Sequence, residues 1–161
     1  MSNLQKRSLS LLYKLALWLR ALVWDIRQPT LIGVRALVLR GDEVLLIRHR
    51  GGHKPWSIPG GGVERHERLS EAIRREVYEE TGMPVKIERL LGVYDAFFGQ
   101  VANYVAVFIC TAQGEAVPPR SLEIETAEFV SVHALPPDLD DGARRRIQEY
   151  LQGVQGASNL Y

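Results

Sequence analysis

The chain has 161 residues, of which 46% are hydrophobic and 24% are charged, and its formal net charge is +1. This composition is typical of one soluble globular domain, and the length suffices to bury a core without disulfide or metal staples. The near balance of 20 basic and 19 acidic residues disfavours a general nucleic-acid-binding protein, which neutralises many phosphates with Lys and Arg. The lone cysteine, Cys110, excludes an internal disulfide and favours a reducing, cytoplasmic setting.

Residues 1–28 differ from the rest of the chain and predict an amphipathic helix. Its apolar face consists of Leu11, Leu12, Leu15, Trp18, Leu19, Leu22, Val23 and Ile26. Charged residues lie on the opposite side and interrupt the apolar run, which is too short to span a bilayer. We expect this helix to dock on the domain core or on a second subunit, as in a homodimer. The alternatives are that it associates with a membrane surface or that it is a targeting segment.

A series of strands and helices is predicted after Pro29, which ends the first helix because proline disfavours helical geometry before it. Two apolar runs joined at Gly41-Asp42 predict a β-hairpin. A second helix is predicted to end at Gly82, where glycine adopts the left-handed cap and Pro84 prevents continuation. The predicted strands are Leu31–Arg40, Glu43–His49, Val85–Tyr94, Asn103–Thr111 and Ala127–Val132, and the predicted helices are Leu69–Thr81 and about Asp138–Leu151.

Strands that alternate with helices indicate the α/β class. We therefore expect one domain over residues 29–153, preceded by the amphipathic helix and followed by a flexible tail over residues 154–161.

Three glutamates, Glu76, Glu79 and Glu80, fall within about a 100° arc of the predicted helix Leu69–Thr81. Carboxylates crowded on one helix face repel one another, and the last helical turn disfavours negative charge. The cluster is therefore either the solvated outer face of an ordinary helix or a site for a hard divalent cation such as Mg²⁺.

The loop before this helix contains three consecutive glycines, Gly60 to Gly62. Because glycine has no side chain, the backbone can approach an ion or a phosphate closely there. A glycine run is weak evidence alone, but its position just ahead of an acidic helix favours the cation site over the solvated face.

Taken together, the loop and the helix resemble the signature of the Nudix family. The pattern is Gly, five residues, Glu, seven residues, then Arg-Glu-aliphatic-x-Glu-Glu-x-Gly-aliphatic. The chain supplies Gly61, Glu67, Arg75, Glu76, Val77, Glu79, Glu80, Gly82 and Met83. The motif covers 23 residues, and a looser resemblance runs from about Leu31 to Leu135, so residues 1–27 lie outside it.

The resemblance implies an α/β/α sandwich with a mixed sheet, and a Mg²⁺-dependent pyrophosphohydrolase, with Mn²⁺ as an alternative metal. It implies cleavage of a phosphoanhydride bond in a nucleoside diphosphate linked to another moiety. Glu79 and Glu80 are the expected metal ligands, and Glu76 is a ligand or the base that activates water. The resemblance also implies that the carbonyl of Gly61 adds a ligand. Glu67 is expected to support the site, either near the metal or by bonding Arg75, and Arg75 is expected to orient a carboxylate.

Residues outside the motif complete the expected site. Glu123 is a candidate ligand or base, and Glu125 and Glu128 are further candidates for the base. The expected substrate-binding residues are Arg48, Arg50, Trp56 and Tyr94, with His49, His53, Lys54, Phe97 and Phe98 as further candidates near the glycine loop or in the strands. The substrate is expected to be a small nucleotide. The alternatives are a non-catalytic module that senses a nucleotide or docks a partner, and a membrane-surface adaptor that acts through the N-terminal helix.

Overall fold

The computed structural model describes residues 30–51, 55–98, 101–114 and 122–160, with the side chains of 96–98, 101 and 157–160 excepted. The predicted amphipathic helix over residues 1–28 lies outside the described residues, as do the candidates His53 and Lys54. The described elements are β1 (Leu31–Arg40), β2 (Glu43–His49), β3 (Trp56–Ser57), α1 (Leu69–Thr81), β4 (Val85–Phe98), β5 (Val101–Ala112), β6 (Ile124–Ser131), α2 (Asp141–Leu151) and β7 (Ala157–Leu160).

The predicted bounds of β1, β2 and α1 agree with the structure residue for residue. β4 and β5 are longer than predicted because their antiparallel ladder continues to the pair Phe98↔Val101. α2 begins later than predicted, since Asp140 caps it by accepting a hydrogen bond from the N–H of Ala143 at 2.9 Å. Backbone pairing and caps, rather than apolar periodicity, therefore decide these ends.

One mixed sheet connects the seven strands in the order β3-β2-β1-β5-β4-β7, and β6 pairs with the other edge of β2. β1 and β5 are parallel, whereas β4 and β5 are antiparallel. β1 and β2 pair only at the hairpin end, through Leu39↔Val44 and Arg40↔Glu43. The remainder of that edge of β1 is left for the glycine loop, which pairs there instead.

Two hydrophobic clusters cover the two faces of the sheet. On one face, Ala72, Ile73 and Val77 of α1 pack against inward-facing residues of β1, β2 and β5. On the opposite face, Ala143 and Ile147 of α2 pack against the alternate residues of the same strands. The result is a sheet between two helices, which confirms the predicted α/β/α sandwich.

The predicted flexible tail differs from the structure. Residues Ala157–Leu160 form β7, which pairs in parallel with β4 from Gly92↔Ala157 to Asp95↔Leu160. The outer edge of β4 offers unpaired backbone groups, and main-chain pairing requires no apolar pattern in the strand that joins it. The small polar residues of the tail therefore carried no signal for this strand.

Within the described ranges, no helix has the length and apolar character needed to cross a membrane.

Candidate active site

The glycine loop lies along the free edge of β1. The N–H of Val34 donates to the carbonyl of Gly61 at 2.9 Å, and the N–H of Val63 donates to the carbonyl of Ile32 at 3.0 Å. Gly60 has a φ of 141°, and a Cβ there would lie 2.1 Å from the carbonyl oxygen of Val34. Only glycine fits this position, because any side chain would collide with the backbone of β1.

Glu76 lies directly against the next residue of the loop. A Cβ on Gly61 would stand 2.5 Å from Oε2 and 2.6 Å from Cδ of Glu76. The helix is thus held close enough for its carboxylates to meet the loop backbone. α1 ends at Gly82, whose left-handed φ of 66° allows its N–H to donate to the carbonyl of Tyr78 at 2.8 Å.

Arg75 connects the loop to the acidic helix face. Its Nε and Nη2 donate to the two carboxylate oxygens of Glu67 at 2.7 and 2.8 Å, and Nη1 donates to Glu76 at 2.8 Å. Nη2 also donates to the carbonyl of Gly62 at 3.1 Å, and Nη1 lies 3.5 Å from a carboxylate oxygen of Glu79. A planar guanidinium suits this fork of acceptors, so Arg75 orients several groups at once.

The electrostatics of Glu67 follow from this arrangement. Hydrogen bonds from Arg75 and from the backbone N–H of Glu64 lower the pKa of Glu67 to about 2. The pKa of the Arg75 guanidinium is raised in turn, first by Glu67 and then by Glu76. Glu67 is therefore held as a carboxylate by its two hydrogen bonds from Arg75.

Glu80 is the buried carboxylate of the site, with only 8% of the residue exposed. Its Oε2 accepts a hydrogen bond from the N–H of Gly60 at 2.8 Å. Burial raises the pKa of Glu80 to about 7, the Gly60 bond and the charge of Arg35 oppose that shift, and Glu76 and Glu123 add to it. Three carboxylates therefore lie near enough to repel one another at one end of the loop.

These carboxylates supply the hard oxygen donors that Mg²⁺ prefers, and their mutual repulsion would be relieved by a divalent cation. The residues present therefore fit a metal ion in chemistry. In the described part of the chain, however, no three Asp, Glu, His or Cys side chains are arranged to hold one. Glu76 faces Arg75, and the side chain of Glu79 is 59% exposed. Both carboxylates would have to turn to become ligands.

Arg35 is a site residue that the sequence analysis missed. Its Nη1 donates to the carbonyl of Ile58 at 3.1 Å and to the carbonyl of Gly60 at 2.8 Å. Gly60 is thus held through its carbonyl by Arg35 and through its N–H by Glu80. The available signal was a charged residue in the middle of the apolar run of β1, on the same face of the strand as the core residue Leu37.

A cavity of about 630 Å³ opens beside the glycine loop, at the start of β1 and β5. Its polar lining includes Arg35, Glu64, Glu67 and Asn103, and the backbone of Gly61 and Gly62 forms one wall. A concave site of this size can hold a small molecule beside the glycine loop, whose Gly61 separates the cavity from Glu76.

Two of the predicted substrate-binding residues, Arg48 and Trp56, form contacts within the domain. Arg48 forms an ion pair with Asp138, and its guanidinium lies 4.6 Å from the centroid of the half-buried Trp56 ring. These contacts join β2 and β3 to the loop before α2. Both residues stabilise this junction, and their expected role in substrate binding stays a prediction.

Tyr94 requires a correction. Its side chain is fully buried, and its hydroxyl donates to Glu149 at 2.7 Å while the guanidinium of Arg146 lies 3.8 Å from its ring centroid. A buried ring cannot stack on a substrate, so Tyr94 is a core residue that joins β4 to α2.

The remaining candidates for substrate binding and for the base lie at the end of β2, on β6 or at the end of β4. Arg50 is exposed, and its backbone N–H donates to the carbonyl of Glu123 at 2.7 Å, which brings the end of β2 to the start of β6. Glu125 and Glu128 are exposed on β6. The side chains of Phe97 and Phe98 are outside the described residues.

Comparisons with known proteins agree with this geometry. The family model described as the NUDIX domain matches residues 29–150. A MutT-like protein of Streptomyces ambofaciens is 35% identical over 108 residues, which cover 66% of this chain and 64% of that protein. Diphosphoinositol polyphosphate phosphohydrolase 2 of Rattus norvegicus is 43% identical over 70 residues, which cover 44% of this chain and 39% of that protein. The matched regions thus span less than two thirds of both relatives.

Among solved structures, a UDP-X diphosphatase superposes with a TM-score of 0.66 at 27% identity, over 81% of this chain and 67% of that chain. Since the family model covers well over half of the chain, the chain belongs to the NUDIX domain family.

Proposed function

We propose that this protein is a divalent-metal-dependent pyrophosphohydrolase that cleaves a phosphoanhydride bond in a derivative of a nucleoside diphosphate. The observation that carries the proposal is the buried Glu80 carboxylate bonded to Gly60, with Glu76 against Gly61, beside an open cavity. Burying a carboxylate costs free energy, and groups whose pKa is perturbed by burial are concentrated at functional sites.

Mg²⁺ is the expected metal, with Mn²⁺ as the alternative. Glu76, Glu79 and Glu80 would hold it together with the Gly61 carbonyl, and Glu123 is a further candidate. When bound, the cation would neutralise charge on the phosphates and lower the pKa of a bound water. The chain's own residues orient the groups: Arg75 aligns Glu76 and Glu67, and Gly60 aligns Glu80. A carboxylate left free by the metal, either Glu76 or Glu123, would take the proton of the attacking water.

The cavity favours a nucleoside diphosphate derivative over a densely phosphorylated ligand. The described lining of the cavity includes one basic residue, Arg35, and two acidic residues, Glu64 and Glu67. It therefore does not have the excess of basic residues that an inositol polyphosphate requires. The UDP-X diphosphatase, which resembles this chain in structure, is consistent with that choice. Nucleotide sugars and ADP-ribose-like compounds are therefore the first substrates to test, followed by nucleoside triphosphates and capped RNA ends. Such substrates suit a cytoplasmic enzyme.

The alternative is a NUDIX-domain protein that binds a nucleotide or a partner without cleaving it. All four glutamates of the motif are present, and Arg75 holds two of them in defined positions. A binding module would not need this set, so the hydrolase is the better-supported proposal.

The test is release of phosphate and nucleotide from a panel of substrates, with Mg²⁺ or with EDTA. The panel contains nucleotide sugars, ADP-ribose, nucleoside triphosphates, dinucleoside polyphosphates, a diphosphoinositol polyphosphate and 5′-triphosphorylated RNA. We expect Mg²⁺-dependent cleavage, with the nucleoside diphosphate derivatives turned over fastest. Binding of a nucleotide by calorimetry without cleavage of any compound would favour the non-catalytic alternative.

A further inference from the structure

A row of apolar side chains lies exposed on the α1 side of the sheet. Ile32 is 48% exposed, Tyr104 39%, Val93 37% and Leu90 42%, although all four are large hydrophobic residues. Isolated exposed residues of this kind are ordinary, but a contiguous set marks a contact surface.

Strand register shows that the four residues share one face. Ile32 of β1 pairs directly with Tyr104 of β5, and direct partners on neighbouring strands point to the same side of a sheet. Val93 and Leu90 of β4 pair with Ala106 and Phe108 of β5. We call the set Ile32, Tyr104, Val93 and Leu90 the apolar row.

The apolar row continues the hydrophobic core beneath α1. Ala106 and Phe108, the partners of Val93 and Leu90, belong to the cluster that α1 covers, as does Val34, two residues beyond Ile32. The core therefore extends across β1, β5 and β4 past the area that α1 shields. A second apolar helix packed beside α1 would complete this layer.

The segment that precedes β1 has the composition to fill that place. Eight large apolar residues between Leu11 and Ile26 share one helical face, as described above. Residues 9–26 as a helix would be about 27 Å long, enough to cross three strands that lie about 4.8 Å apart. Four residues lie between Arg27 and Ile32, so the Cα atoms of these two residues are at most about 17 Å apart in any conformation of that stretch.

We propose that residues 9–26 form a helix whose apolar face packs on the apolar row of the same chain. Because the tether is short, the segment is present at the row at an effective concentration in the millimolar range. A second copy would have to compete with it, and four side chains offer only a few hundred Å² against the ~800 Å² that each partner of a stable dimer buries. The segment of the same chain is therefore favoured over the segment of a second copy as the occupant of the apolar row. Ile32 of the apolar row also lines the cavity beside the glycine loop, but the packing proposed here does not require the hydrolytic activity proposed above.

The chain contains its own probes for this contact. Two of its three tryptophans, Trp18 and Trp24, belong to the segment, and the third is Trp56. On the helix that the sequence predicts, Trp18 falls on the apolar face and Trp24 on the opposite side. The full chain with Trp24→Phe and Trp56→Phe leaves only Trp18, and the full chain with Trp18→Phe and Trp56→Phe leaves only Trp24. Each is measured by emission wavelength and by acrylamide quenching.

We expect Trp18 to emit at shorter wavelength than Trp24 and to be quenched several-fold less. Ile32→Glu or Val93→Glu, placed separately in the Trp18 background, should remove that protection. Leu122→Glu is the matched control, since Leu122 is 90% exposed and lies away from the apolar row. It should leave Trp18 protected. Circular dichroism and thermal melting establish that each variant remains folded.

Four results would overturn the proposal. Trp18 could be quenched as readily as Trp24, or its protection could survive both Ile32→Glu and Val93→Glu in folded protein. Protection that disappears on dilution, together with a dimeric mass in light scattering, would assign the segment to a second copy. Protection that arises only on adding vesicles of phosphatidylcholine and phosphatidylserine would assign it to a membrane surface.

Discussion

The N–H of Gly60 donates a hydrogen bond of 2.8 Å to the carboxylate of Glu80, which lies 20 residues further along the chain. This bond joins the glycine loop to the last turn of α1. The same glycine accepts a hydrogen bond from Arg35 through its carbonyl, so β1, the loop and the helix meet at one residue.

We predict that Gly60→Ala destabilises the protein far more than Gly62→Ala. A Cβ on Gly60 would meet the backbone of β1 at 2.1 Å, and its φ of 141° is strained for any side chain, whereas a Cβ on Gly62 would meet nothing within 4 Å. The expected loss for Gly60→Ala is roughly 3 kcal/mol or more. Urea unfolding of the two variants measures it. Equal losses would show that the loop does not pack on β1 as described.

Arg75→Lys should lower turnover while the protein stays folded. A lysine ammonium retains the charge but cannot span Glu67, Glu76 and the Gly62 carbonyl together, so the carboxylates lose their alignment. Arg40→Lys provides the control, because Arg40 forms an exposed ion pair with Glu43. Steady-state kinetics and melting temperatures of both variants are compared. Full activity of Arg75→Lys would rule out an orienting role for the guanidinium.

Cys110 should be unreactive in the folded protein. Burial raises the pKa of its thiol to about 12, and the side chain is fully buried. Because the folded pKa is raised, the neutral thiol contributes its stability below about pH 9, and that contribution is lost as the pH rises towards 12. Labelling by an aromatic disulfide reagent at pH 8 should therefore wait for unfolding. Fast labelling of native protein would contradict the burial of this thiol.

Tyr94→Phe should cost about 1 kcal/mol of stability and leave KM unchanged. The substitution removes the hydroxyl that donates to Glu149, but the ring remains under Arg146 in the core. Tyr78→Phe, at an exposed tyrosine of α1, serves for comparison and should change stability less. A clear rise in KM for Tyr94→Phe, with the fold intact, would restore Tyr94 as a substrate contact.

Local signals in the sequence were sufficient for the elements and for the acidic helix. Gly82 and Pro84 end α1, and the alternation of apolar residues delimits β1 and β2, because these effects act between neighbours in the chain. Contacts made through the backbone over long separations were not visible. The pairing of the glycine loop with β1, the role of Arg35 and the addition of β7 all depend on main-chain hydrogen bonds or carbonyl acceptors, which any residue supplies.

The chemical character of a side chain gave a wrong prediction for Tyr94, because packing decides the role of that residue. Tyr94 has the character of a ligand-binding residue, yet the structure places it in the core. Arg48 and Trp56 lie at the junction of β2, β3 and the loop before α2, and their role in substrate binding stays a prediction. An aromatic ring or a guanidinium serves either purpose, and only its burial in the fold distinguishes them.

The most direct test of the proposed site is the turnover number of Glu80→Gln beside wild type and Glu88→Gln, at saturating Mg²⁺ with the best substrate of the panel. Glutamine keeps the volume of Glu80 and removes its charge, and Glu88 lies on β4 away from the loop. We predict that Glu80→Gln loses roughly two orders of magnitude or more in kcat, while Glu88→Gln retains wild-type activity and both remain folded. Wild-type turnover in folded Glu80→Gln would show that the buried carboxylate does not serve the reaction.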